Sequence, residues 1–152
     1  MHIFLKKKIL YFRDYKIKCS IGKRGLTSKK REGDLKTPLG NFKFNLLLYR
    51  KDRIKKINTK IKKKAIKRNF GWCDDPNSSN YNKLVKFPFS QSAERLYLKE
   101  NIYDLILVIN FNTKPIIKRR GSAIFLHIAN KKFSATKGCI AIKKKSLIKI
   151  LP

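Results

Sequence analysis

At 152 residues with 42% hydrophobic content, the chain is long enough to bury one real core and too short to argue for two. Lys or Arg interrupts every apolar run, so no window approaches the roughly 20 consecutive apolar residues that cross a bilayer, and we expect a soluble domain. Its 39 Lys and Arg against 9 Asp and Glu leave a formal net charge of +30, which attracts polyanions nonspecifically. The bias toward Lys, Ile and Asn is also what an AT-rich coding sequence produces.

The chain opens on short apolar and β-branched runs, His2 to Leu5, Ile9 to Phe12 and Tyr15 to Ile21, which predict three strands. Ile17, Cys19 and Ile21 share one alternating face, so Cys19 reads as a packing residue; His2, at the terminus, reads as solvated. The order of MHIFLKKKIL, apolar before basic, is the reverse of a secretory signal, and no export signal is read there. Gly22 to Gly40 is dense in glycine and charge, with turn signals at Gly33-Asp34 and Thr37-Pro38, and predicts a long connection. A strand follows over Asn41 to Tyr49, where Phe42, Phe44 and Leu46 alternate. The basic run Lys55 to Arg68 predicts a solvated loop or helix face, because no aromatic residues interleave with it as a nucleic-acid stacking platform requires.

Gly71 to Asn82 (GWCDDPNSSNYN) predicts a polar loop, and Ser92 to Glu100 a short helix with Ser92 as N-cap. Asp104 to Phe111 is the strongest strand signal, a continuous apolar run suited to a central position covered on both faces. Ala123 to His127 and Cys139 to Ile142 predict two more buried strands, and Lys144 to Leu151 a closing helix. Many short strands with few helices predict a mainly β fold.

The segment Gly121 to Ile142 carries the candidate chemistry. A thiol that performs acyl transfer needs a base, donors for the developing oxyanion and access to substrate. His127 ends an apolar strand and Cys139 begins one. Gly138 lets the backbone approach a substrate closely, so its N–H and that of Cys139 are candidate oxyanion donors. From residue types alone, His127 is equally well a core histidine. The three cysteines form no CxxC, and with two histidines they call for no disulfide framework, no metal site and no cofactor. Asp74 and Asp75 are adjacent, but adjacency does not set two carboxylates across one cleft.

His127 followed by Thr136-Lys137-Gly138-Cys139, with Gly33-Asp34-Leu35-Lys36-Thr37-Pro38-Leu39-Gly40-Asn41-Phe42 upstream, resembles the L,D-transpeptidase catalytic domain, or YkuD family. The Gly71-Trp72-Cys73-Asp74-Asp75-Pro76 stretch and Tyr81-Asn82 resemble a short, compact subgroup. The resemblance implies a single catalytic domain over 1–152, folded as a β-sandwich of mixed sheets with one or two short helices. It implies Cys139 as nucleophile, His127 as base and later acid, Gly138 as oxyanion donor and Thr136 as a shaper of the turn. The implied partner is the peptidoglycan stem peptide: a thioester forms with release of D-alanine and an amine from a neighbouring stem resolves it. Water in place of the amine would make an L,D-carboxypeptidase, and a basic nucleic-acid-binding module is the alternative of another class. Trp72, Tyr81, Arg119 and Lys143 are expected to bind substrate. The last two would stand in for the family's Arg two residues after the cysteine, which is Ala141 here, with Arg120 a further candidate. The gap from His127 to Thr136 is shorter than is usual in the family, and Lys137 replaces its usual His or Arg. We expect a monomer, and the family implies the periplasm or cell envelope, whereas the missing signal leaves a cytoplasmic pool open.

Overall fold

The computed structural model describes residues 3–151. The three opening strands form as β1 (Phe4–Lys6), β2 (Ile9–Phe12) and β3 (Tyr15–Ser20), an antiparallel meander. His2 lies outside the described residues. The glycine-rich connection is held by a two-residue parallel pair, β4 (Leu26–Thr27) with β5 (Thr37–Pro38). Next come β6 (Phe44–Tyr49), β7 (Lys63–Ala65), β8 (Phe70–Cys73), β9 (Leu84–Lys86) and β10 (Ala93–Arg95). A 3-10 turn over Asn101–Tyr103 leads into β11 (Leu105–Ile109), then β12 (Phe125–Ile128), β13 (Ile140–Ile142) and α1 (Lys144–Lys149).

Eight strands make one sheet in the order β1-β2-β3-β13-β12-β11-β6-β7, with β12/β13 and β6/β7 parallel and the other neighbours antiparallel. A second sheet, β10-β8-β9, is fully antiparallel. The fold is mainly β with mixed sheets and one short α-helix, as expected. β11 lies between β12 and β6 and is buried throughout. Its alternation feeds two cores. Leu105, Leu107 and Ile109 join Leu10, Ile17, Cys19, Leu126, Ile142 and the helical Leu147 on one face. Ile106 and Val108 join Leu48, Phe125 and Cys139 on the other, where Phe70, Trp72, Leu96 and Tyr103 pack against them. The smaller sheet therefore covers the second face.

Two expectations need correction. Ser92 to Glu100 is not a helix: Ala93, Glu94 and Arg95 pair with Cys73, Trp72 and Gly71, and this long-range pairing overrides local helix preference. Ser92 Oγ instead donates to Asp74 Oδ1 at 2.6 Å. The stretch from Gly71 to Asn82 begins as buried strand, and only its Asp74 to Asn82 part is loop. Lys55 to Arg68 is for the most part an exposed loop, one of the two forms expected, and also contains β7, whose lysines lie at the end of the large sheet, where charge discourages edge-to-edge pairing. Phe42 precedes β6, and its ring meets Phe111 edge-on at 5.8 Å.

Candidate functional site

The strand register sets the relation between His127 and Cys139. In β12, His127 pairs with Ile106 of β11 and with Ala141 of β13. Paired residues share a face, and Cys139, two residues before Ala141, points the same way. Both side chains therefore project from the second face of the large sheet, toward the smaller one. They are diagonal neighbours across a parallel strand pair, which puts their Cα atoms about 8 Å apart.

In the resting arrangement each group is held by backbone. The Cys139 thiol donates to the Ala123 carbonyl at 3.1 Å, and Sγ accepts the Phe125 N–H at 3.4 Å. His127 Nδ1 lies 2.9 Å from the Ile128 carbonyl. The Ile128 carbonyl accepts from the ring in the tautomer with its proton on Nδ1, which leaves Nε2 its lone pair. Tyr103 meets the imidazole edge-on with ring centres 5.2 Å apart, fixing its plane.

Electrostatics agree with a neutral pair. His127 is 7% exposed and Cys139 8%. Burial pushes the imidazole below its ordinary 6.5, with the Ile128 and Ile102 carbonyls opposing. Burial first, and then the charge of Glu94, push the Cys139 thiol up to about 12, against the Phe125 N–H and Lys30. At neutral pH both shifts favour a neutral thiol and a neutral imidazole over a thiolate and an imidazolium.

The turn before Cys139 is stitched to two distant segments. Thr136 Oγ1 accepts the Gly138 N–H at 3.1 Å and donates to the Cys139 carbonyl at 2.6 Å, so the hydroxyl closes the turn. The Gly138 N–H is thereby engaged in the resting state. Gly138 has φ 147°, and a Cβ there would sit 2.9 Å from the Lys36 carbonyl, so the position requires glycine. Thr37 Oγ1 accepts the Gly22 N–H at 2.9 Å and donates to the Gly138 carbonyl at 2.8 Å. This is the physical content of the Thr-Pro motif: a buried hydroxyl clamps the turn that carries the thiol.

Trp72 and Tyr81 are buried, and their polar atoms are used internally. Trp72 Nε1 donates to Asn82 Oδ1 at 2.9 Å, and its ring meets Phe125 edge-on at 5.3 Å. Tyr81 donates to the Glu32 carboxylate and accepts the Gly121 N–H at 2.9 Å. Lys143 is exposed just past the end of β13, which puts its Cα about 13 Å along the strand from that of Cys139. Arg119 is exposed, with Nη2 3.4 Å from Asn77 Oδ1, and Arg120 lies 6.0 Å from the centre of the Phe111 ring. Ala141 is buried directly beside His127.

Sequence reasoning missed four residues around the thiol. Asn82 accepts the Trp72 N–H and, at 3.0 Å, the Ala123 N–H, while its amide donates to the Phe111 and Asn112 carbonyls at 3.2 and 2.7 Å. It thus positions the residue whose carbonyl holds the thiol. Lys30 is a buried cation bonded to Asp34 Oδ1 at 2.7 Å and the Arg31 carbonyl at 2.6 Å, with its stem near Gly121 and Gly138. Nothing distinguishes it in sequence from the other lysines. Glu94 and Tyr103, bonded at 2.6 Å, lie in segments whose local signals gave no reason to place them at the site.

No curated protein and no solved structure is matched by the chain. The family model of the L,D-transpeptidase catalytic domain, YkuD, matches residues 2–152, essentially the whole length, over a β-sandwich that carries the thiol and imidazole on one sheet face. The chain therefore belongs to the L,D-transpeptidase catalytic domain family.

Proposed function

We propose that the protein is a cysteine-dependent acyltransferase acting on peptidoglycan stem peptides. The observation that carries the reading is the register of β12 and β13, which makes His127 and Cys139 diagonal neighbours on one face. Acylation begins with the thiol turning from the Ala123 carbonyl toward Nε2 of His127. Because the thiol rests neutral and the imidazole is held neutral, proton transfer accompanies attack instead of preceding it. The sulfur adds to the stem amide carbonyl. The Cys139 N–H, with the Gly138 N–H shared from Thr136, stabilises the oxyanion. The imidazolium then protonates the departing amine of D-alanine, leaving a thioester. A neighbouring amine attacks this thioester, His127 takes up a proton and returns one to sulfur, and the cross-link is released. Lys30 holds the turn and sets positive charge near the developing thiolate. Trp72 supports the wall beneath Phe125, Tyr81 anchors Gly121, and Arg119 and Lys143 supply outlying positive charge for substrate carboxylates.

The test is incubation with purified tetrapeptide muropeptides, followed by mass analysis. Cross-linked dimers are expected; trimmed tripeptides alone would make the protein an L,D-carboxypeptidase, and neither product would remove the reading. A carbapenem should add covalent mass to wild type and none to Cys139→Ala. Equal labelling of both would overturn the nucleophile.

A further inference from the structure

Glu94 stands out by what it lacks. The chain has 39 Lys and Arg for 9 acids, yet no described ion pair includes this carboxylate. Glu94 pairs with Trp72 across β10 and β8, so it shares the face on which Trp72 meets Phe125. Phe125 is the residue whose N–H holds the Cys139 sulfur. Glu94 Oε1 accepts the Tyr103 hydroxyl at 2.6 Å, and the Tyr103 ring is set edge-on to both Phe125 and His127. Among the described residues no donor reaches Oε2 within hydrogen-bond distance, and unlike Cys139 and His127 the residue is only partly buried. A partly buried carboxylate with one oxygen fixed and the other unbonded thus lies near enough to the thiol for its charge to act there.

A negative charge here opposes the first half of the reaction. Glu94 raises the Cys139 thiol, and burial raises Glu94 itself. A group that hinders thiolate formation is accounted for if it serves the second half, in which the acceptor arrives as an ammonium and must lose a proton before it is nucleophilic.

Resting on the transpeptidase reading above, we infer that Glu94 is the acceptor site: its free oxygen binds the primary ammonium of the incoming stem and takes its first proton. The balance is complete. The ammonium gives one proton to Glu94; the neutral amine forms the new C–N bond as the C–S bond breaks; its second proton passes through His127 to sulfur, and its third stays on the amide nitrogen. The Glu94 proton then leaves to solvent. Tyr103 keeps the carboxylate aimed and links its position to that of the imidazole.

Glu94→Gln tests this, since an amide oxygen still accepts the Tyr103 hydroxyl and the fold keeps that contact. Wild type, Glu94→Gln and Glu94→Asp are given a tetrapeptide stem as donor. The acceptor is a stem with a free side-chain amine, or the same stem with that amine acetylated. D-alanine release and enzyme mass report acylation, and dimer yield against acceptor concentration reports aminolysis. Glu94→Gln should acylate at least as fast as wild type and accumulate thioester, while dimer formation falls about 10²-fold, with partial recovery in Glu94→Asp. The acetylated acceptor should give no dimer with any variant. If acylation and aminolysis fall together, or if acceptor dependence is unchanged, Glu94 is not the acceptor site. Should wild type never gain stem mass, the transpeptidase reading itself fails and the inference with it.

Discussion

The two faces of the large sheet are built from the same strands and differ in what they bury. One is closed by β1–β3 residues and α1 and is apolar, with Cys19 as a packing atom. The other, under the smaller sheet, buries Cys139 among Trp72, Tyr103 and Phe125 beside His127. Burial raises both thiols, Cys19 to about 11 and Cys139 to about 12, so desolvation does not distinguish the two cysteines. The neighbours do. Burial alone acts on Cys19, whereas Cys139 has an imidazole on its own face, a backbone donor and acceptor on its sulfur, a buried lysine and a half-buried acid.

The two thiols should differ most in their response to substitution. Cys139→Ala should abolish covalent acylation in an intact-mass assay, and Cys19→Ala should leave it at the wild-type rate. Next in size, His127→Gln should slow acylation about 10²- to 10⁴-fold, the range for a lost general base. The same substitution tests the buried imidazole by its linkage to folding. Its folded pKa lies below the unfolded 6.5, so the stability it allows is present above 6.5 and is lost as pH falls through the window below. Wild-type Tm should therefore drop on acidification through that window, and this part of the drop should vanish in His127→Gln.

Asn82→Ala sharpens the comparison from the structural side. It leaves the Trp72 and Ala123 N–H groups without their partner in a buried setting, which should cost about 3 kcal/mol in chemical denaturation. Acylation should fall with it, because Ala123 positions the thiol. Cys19→Ala, by contrast, removes one core atom and should cost about 1 kcal/mol. The smallest effect concerns charge. Binding to heparin or RNA should weaken steeply with added salt and be equal in wild type and Cys139→Ala; a salt-resistant, sequence-dependent complex would instead favour a nucleic-acid function.

Much of the fold was legible because burial period and strand period coincide. The run from Asp104 to Phe111 read as a doubly covered strand and forms one over Leu105–Ile109, and the alternation of Ile17, Cys19 and Ile21 marked one face that the structure buries. The failures share a cause. Ala93 to Arg95 looked helical because a window of sequence does not show that Cys73, Trp72 and Gly71 will lie opposite. Glu94 was invisible as a candidate for that reason, and Lys30 because 39 basic residues hide the one that is buried beside the turn. Trp72 and Tyr81 drew attention as aromatic residues in a polar stretch, yet their N–H and O–H groups are bonded within the protein.

The residues in order were enough to indicate a mainly β fold, the segments that cross its core, and a family pattern in which Cys139 and His127 sit at strand ends. Those are local properties, set by periodicity and short-range spacing. Tertiary structure alone decided that His127 pairs with Ala141, and so lies diagonal to the thiol, and that Thr37, Asn82 and Glu94 converge there from distant segments. Register and sheet stacking are long-range choices, made by which faces exclude water together, and no short stretch of chain contains them.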